Sequence, residues 1–147
     1  WTGTNGEIAK ESIEVSISYI KSNSEYFGID ESFFLKNDIH IHFTENSIQK
    51  DGPSAGAAIT TAILSLLKNK VMDSEMSMTG EMSLKGDILK VGGIKEKTIA
   101  CIRNKIKTLY LPSENLYDTA WIENDIKNNI EFVPINNYKE IYDKLFK

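Results

Sequence analysis

Two hydrophobic periods alternate along this sequence, and the alternation restricts it to folds that mix helices with strands. Glu7 to about Ser22 sets Ala9, Ile13, Ile17 and Ile20 on one helical stripe, and Gly28 and Asp30 mark a break after it. Asp38 to Phe43 has the period of a half-buried strand, with Ile39, Ile41 and Phe43 on one face and His40 and His42 on the other. A polar loop from Thr44 to Pro53 follows. Ser54 to Leu67 then predicts a buried, small-residue helix, with Ala55, Ala58, Ile59, Ala62, Ile63 and Leu66 recurring at threes and fours. Met76 to Thr79 reads as a strand, and Ser83 to Val91 as a hairpin turning at Lys85-Gly86-Asp87. Lys95 to Asn104 reads as a helix entered through Gly92-Gly93, and Thr108 to Leu111 as a strand stopped by Pro112. Ser113 to about Ile122 starts as a helix with an acidic first turn; a strand at Glu131 to Pro134 and a helix from Asn137 to Phe146 finish the chain. The expected class is mixed α/β (α+β).

With 147 residues and no repeat or linker, the chain is expected to form one domain spanning 1–147. A net charge of −4 runs against a nucleic-acid surface, and Arg103 is the only arginine, so bidentate phosphate recognition is scarcely provided for. Cys101 is the single cysteine; it excludes an internal disulfide and reads as a small core residue. No apolar run reaches the length of a membrane span. The chain starts at Trp1 without a signal peptide, and is expected to be a domain excised from a longer chain.

The chemistry concentrates at Asp51-Gly52-Pro53-Ser54-Ala55-Gly56. Gly52 permits a tight backbone approach and Pro53 stiffens it, while Ala55 and Gly56 keep side chains out of the space beside Ser54. A helix N-terminus has backbone N–H groups without intrahelical partners, suited to a developing oxyanion. Two readings stand: a serine capping a buried helix, and a serine nucleophile. A phosphate loop would need Gly-Lys-Ser/Thr, which is absent.

A serine hydroxyl needs a base to take its proton. His40 and His42 have no acid evidently placed to orient them, and histidines alternating on a strand are commonly structural. A lysine can serve if burial depresses its pKa from about 10.4 by roughly 3–5 units. Lys97 lies at the start of a helix beside the apolar face of Ile94, Thr98 and Cys101, with Lys95 and Glu96 turned elsewhere.

Asp51-Gly52-Pro53-Ser54-Ala55-Gly56 resembles the catalytic-serine motif of Lon proteases, and Gly92-Gly93-Ile94-Lys95-Glu96-Lys97 resembles their catalytic-lysine motif. The serine and lysine are separated as in that family. Met78-Thr79-Gly80-Glu81, Thr2-Gly3 with Lys10-Glu11-Ser12, the His40-bearing strand, and Ile106-Lys107-Thr108 with Leu111-Pro112 extend the resemblance over essentially the whole chain. Gln49, Lys85 and Lys90 depart from the family's usual proline, arginine and proline.

The resemblance implies a Lon-type proteolytic domain of ribosomal-protein-S5-domain-2-like architecture, of the bacterial and organellar type. It implies a serine endopeptidase with Ser54 as nucleophile and Lys97 as base. Thr79 would orient the lysine amine, backbone groups near Asp51, Gly52, Pro53 and Ser54 would form the oxyanion hole, and His40 would pack beside the site. Asp51 is expected to stand clear of the amine, because a nearby carboxylate would favour the ammonium form. The resemblance further implies unfolded or misfolded protein substrates and a hexameric ring. It implies no cofactor or metal in this domain, ATP and Mg belonging to an ATPase module elsewhere in the parent, no membrane and no nucleic acid. The compartment would be the mitochondrial matrix or the bacterial cytoplasm. The alternatives are an inactive binding or assembly module of the same fold and a small-molecule kinase of related architecture, the latter disfavoured by the carboxylate and proline preceding Ser54.

Overall fold

A three-stranded parallel sheet carries the elements that matter for the site. In the computed structural model, which describes residues 2–3, 7–30, 32, 42–43, 55–122 and 124–147, its order is β3 (Met76–Met78), β6 (Thr108–Pro112), β7 (Glu131–Ile135). Met76 pairs with Thr108, and Thr108 with Glu131, so the central strand β6 is hydrogen-bonded on both sides. Leu109, Tyr110 and Leu111 on β6 are accordingly buried. Parallel neighbours need long crossovers. Between β3 and β6 the chain inserts a hairpin, β4 (Glu81–Met82) with β5 (Ile88–Leu89), and helix α4 (Ile94–Arg103). Near the start, β1 (Thr2–Gly3) pairs in parallel with β2 (His42–Phe43). The rest of the expected strand, Asp38 to Ile41, lies outside the described residues. The mixed class expected from the sequence is the one observed.

Helices α1 (Glu7–Ser22) and α3 (Gly56–Leu67) pack on each other and on the hairpin. On α1, Ile13 and Ile20 are buried as expected, joined by Ser16 and Tyr19. On α3 the expected stripe is corrected. Ile59 and Ile63 are buried, but Ala58, Ala62 and Leu66 are exposed, and Gly56, Ala57, Thr60, Thr61 and Leu64 complete the buried face. The reason is local satisfaction of the threonines: Thr60 Oγ1 donates to Gly56 O at 2.9 Å and Thr61 Oγ1 to Ala57 O at 3.0 Å. With their hydroxyls paired on their own helix, threonines pack like apolar residues.

Further details complete the comparison with the expected elements. The hairpin strands lie at 81–82 and 88–89, and 83–87 form the turn, because the Ser83 hydroxyl accepts from the Asp87 backbone N–H and stabilises the bend there. The helix expected from Ser113 is present as a 3₁₀ helix, Ser113–Trp121. Its side-chain bonds from Asn115 to Asp118 and from Thr119 to the Leu116 carbonyl span three residues, the repeat of that helix. Short helices α2 (Ser24–Phe27) and α5 (Asn124–Lys127) are additional to the expected elements. The last helix, α6 (Tyr138–Phe146), starts with a reciprocal capping box between Asn137 and Glu140. It closes an aromatic core in which Phe27 meets Tyr19, Tyr138 and Tyr142 edge-on.

Candidate active site

Helix α4 begins at a left-handed glycine. Gly93 has φ +72, a conformation that costs a residue with a Cβ dearly, and its carbonyl accepts from the Lys97 N–H at 3.0 Å. From there the helix buries Ile94, Thr98 and Cys101 and exposes Lys95 and Glu96, as the sequence suggested. Lys97 sits on the boundary between the two faces and is half-buried. Its Nζ donates to Thr79 Oγ1 at 3.1 Å. Thr79, 5% exposed, directly follows β3, and its N–H donates to Tyr110 O at 2.9 Å, which ties its position to the central strand.

Helix α3 arrives at the same place from the other side. Ala57 N–H donates to Gly80 O at 3.1 Å, joining the first turn of α3 to the residue beside Thr79. The approach leaves no room for side chains: a Cβ on Gly56 would lie 3.0 Å from the Met82 nitrogen, and one on Gly80 would lie 2.6 Å from Ile88 Cγ2.

Between these elements lies a cavity of about 380 Å³. Ala55 and Ala58 line one side, Met78 and Thr79 another, and Lys97, Ala100 and Cys101 a third. Such a volume is within the range of ligand pockets, and its wall is mainly apolar with the Lys97–Thr79 pair as a polar feature. Burial pushes the Cys101 thiol pKa up, partly offset by a hydrogen bond with Ser77, so the thiol is a protonated core group at neutral pH.

Of the site residues expected from sequence, Lys97 and Thr79 are described and hydrogen-bonded to each other. Ser54, Asp51, Gly52, Pro53 and His40 lie outside the described residues. Ala55, next to Ser54 in the chain, is described and lines the cavity that Lys97 lines. One residue was missed: Asn115, fully buried, whose amide binds the backbone of Val91 at the approach to α4. Its partner is 24 positions away, so nothing in the local pattern singles it out. Among the described residues no group of three or more His, Cys, Asp or Glu side chains is placed to hold a metal ion. No described helix is long and apolar enough to cross a membrane.

A family model, the Lon protease (S16) C-terminal proteolytic domain, matches residues 1–147. The Lon protease of Aster yellows witches'-broom phytoplasma is 41% identical over 99% of this chain, and that of Mycoplasma pneumoniae is likewise 41% identical over 99%. The Lon protease of Brucella suis is 44% identical over 95% of the chain. The chain spans 18%, 18% and 17% of the lengths of these three relatives. With the family model matched from the first residue to the last, this chain belongs to the family of Lon protease C-terminal proteolytic domains.

Proposed function

We propose that this chain hydrolyses peptide bonds through a Ser54–Lys97 dyad. The observation that carries the reading is the Lys97 Nζ to Thr79 Oγ1 bond at 3.1 Å, in a cavity that Ala55, the residue after Ser54, also lines. A lysine acts as a base only as the neutral amine. Thr79 suits that need, because a hydroxyl can accept from the amine and hold it without adding the negative charge that would favour the ammonium form.

In the proposed reaction Ser54 Oγ attacks the scissile carbonyl carbon while its proton passes to Lys97 Nζ. The carbonyl oxygen carries the negative charge that develops. The C–N bond then breaks, Lys97 returns the proton to the leaving amine, and an acyl ester remains on Ser54. Water attacks that ester, gives a proton to Lys97, and releases the acid as the proton returns to Ser54 Oγ. The Ala57 N–H is committed to the Gly80 carbonyl. We assign the oxyanion donors to backbone N–H groups near Asp51 to Ser54, as the family resemblance implies; Pro53 has no N–H to offer. The cavity beside Lys97 would hold an apolar side chain of the substrate next to the scissile bond.

The wider setting follows from kinship. Relatives named Lon protease support a protein substrate, and we propose that it is unfolded or misfolded protein and that the parent assembles into a hexameric ring. Because the chain spans less than a fifth of their length, we assign ATP, Mg and unfolding work to a module outside these residues. The relatives are bacterial, which favours a bacterial over an organellar setting. Labelling with a serine-directed fluorophosphonate tests the dyad directly. The label should attach at Ser54 and be lost in Ser54→Ala, and Lys97→Ala should slow it at least about a hundredfold. Labelling that ignores both substitutions would contradict the reading.

A further inference from the structure

We infer that Asn115 is a positioning residue for Lys97, acting through the backbone of Val91. This rests on the Ser54–Lys97 reading and adds a residue that the reading does not contain. Asn115 is fully buried on the 3₁₀ segment. Its Oδ1 accepts from Val91 N at 2.9 Å and its Nδ2 donates to Val91 O at 2.7 Å. The amide thus pairs with both polar groups of a single backbone residue, as a neighbouring strand would. The second Nδ2 hydrogen goes to Asp118 Oδ2 at 2.8 Å, so both donors of the amide are used and its orientation is fixed by its partners.

Val91 is where such an anchor has leverage. The two residues between it and α4 are Gly92 and Gly93, both exposed, and around Gly92 an added Cβ would meet nothing within 4 Å. No side chain from that pair can hold the entry to the helix, and glycine backbone is intrinsically free. The start of α4 is therefore held by Asn115 at Val91 on one side and by buried Ile94 on the other, one turn before Lys97. A misplacement of about 1 Å at a reacting group can cost roughly a hundredfold in rate. Loosening the anchor would displace the amine from its Thr79 partner without touching substrate.

The test uses the full chain, with kcat and KM for an unstructured fluorogenic peptide and a thermal melt for each variant. Asn115→Ala should lower kcat about ten- to a hundredfold with KM within about twofold, while the protein remains folded at the assay temperature. Asn115→Asp should be impaired as well, since an oxygen would then face both the Val91 carbonyl and the Asp118 carboxylate. Adding Asp118→Asn restores a donor to that pair and should recover part of kcat. A folded Asn115→Ala with kcat within twofold of the parent, or with its loss confined to KM, overturns the inference. If Asn115→Ala does not fold, the Asp variants decide: recovery in the double variant supports the anchor, and equal kcat in single and double overturns it. Lys97→Ala separates the two levels. Cleavage lost there but kept in Asn115→Ala removes only the anchor, whereas cleavage that survives Lys97→Ala removes the dyad and the anchor with it.

Discussion

Lys97 Nζ and Thr79 Oγ1 are 3.1 Å apart, and they join helix α4 to the end of β3 across 18 positions of sequence. The hydroxyl is buried and its backbone is held by the central strand, so the threonine is a rigid partner for a flexible side chain. Thr79→Val keeps the shape and removes the acceptor, and should lower kcat for peptide cleavage about ten- to a hundredfold. Thr79→Ser keeps the acceptor and should stay within several-fold of the parent. Equal activity in the Val and Ser variants, measured on one peptide, would show that the hydrogen bond is not used.

Gly80 tests the seam between α3 and the hairpin. A methyl group there would stand 2.6 Å from Ile88 Cγ2, and Ile88 is itself buried. Overpacking of this kind costs about 1–3 kcal/mol. Gly80→Ala should therefore lower the melting temperature by several degrees; a melt within a degree of the parent would contradict the packing described here.

Two buried tyrosines should respond with opposite sign to the same substitution. The Tyr138 hydroxyl is hydrogen-bonded with Thr61 Oγ1 at 2.8 Å, whereas the Tyr19 hydroxyl is buried with no hydrogen-bond partner among the described residues. Removing a satisfied hydroxyl costs about 1 kcal/mol, and removing an unsatisfied one relieves its desolvation penalty of about 1–3 kcal/mol. Tyr138→Phe should melt lower and Tyr19→Phe higher, each by about 2–4 °C per kcal/mol.

The same burial makes stability fall in alkali. Desolvation above all, with the negative charge of Tyr26 and Asp87, raises the Tyr19 pKa to about 12, while an unfolded tyrosine titrates near 10. Between those values the folded state holds a proton that the unfolded state has released. The stabilisation is complete below about pH 10 and is lost as pH climbs toward 12. Urea unfolding across that window should show the decline, with Tyr138, whose pKa is also raised by burial, contributing to it. Tyr19→Phe should make the decline shallower, and an unchanged slope would argue against a buried Tyr19.

The parts of this fold legible in sequence were those with a local cause. Gly92-Gly93 announced the start of α4, and Ile94, Thr98 and Cys101 its buried face, because spacing and backbone freedom act over a single turn. The inner face of α3 differs from its apolar pattern because Thr60 and Thr61 look polar in sequence, whereas their hydroxyls return to Gly56 and Ala57. The helix at Ser113–Trp121 is legible from its acidic first turn, but its 3₁₀ kind is not, because acidic first turns suit both kinds of helix. Asn115 could not be read at all, since its role depends on Val91 being brought to it by the fold. At the candidate site, resemblance pointed to Lys97 and Thr79, which are hydrogen-bonded. Ser54 lies outside the described residues, next to Ala55, which lines the same cavity as Lys97.

The most direct measurement is cleavage of an unstructured fluorogenic peptide, without nucleotide, by the parent chain beside Ser54→Ala and Lys97→Ala, with melts confirming that all three are folded. The proposed dyad predicts cleavage by the parent and its loss in both variants. Cleavage that persists in Ser54→Ala or in Lys97→Ala would contradict it.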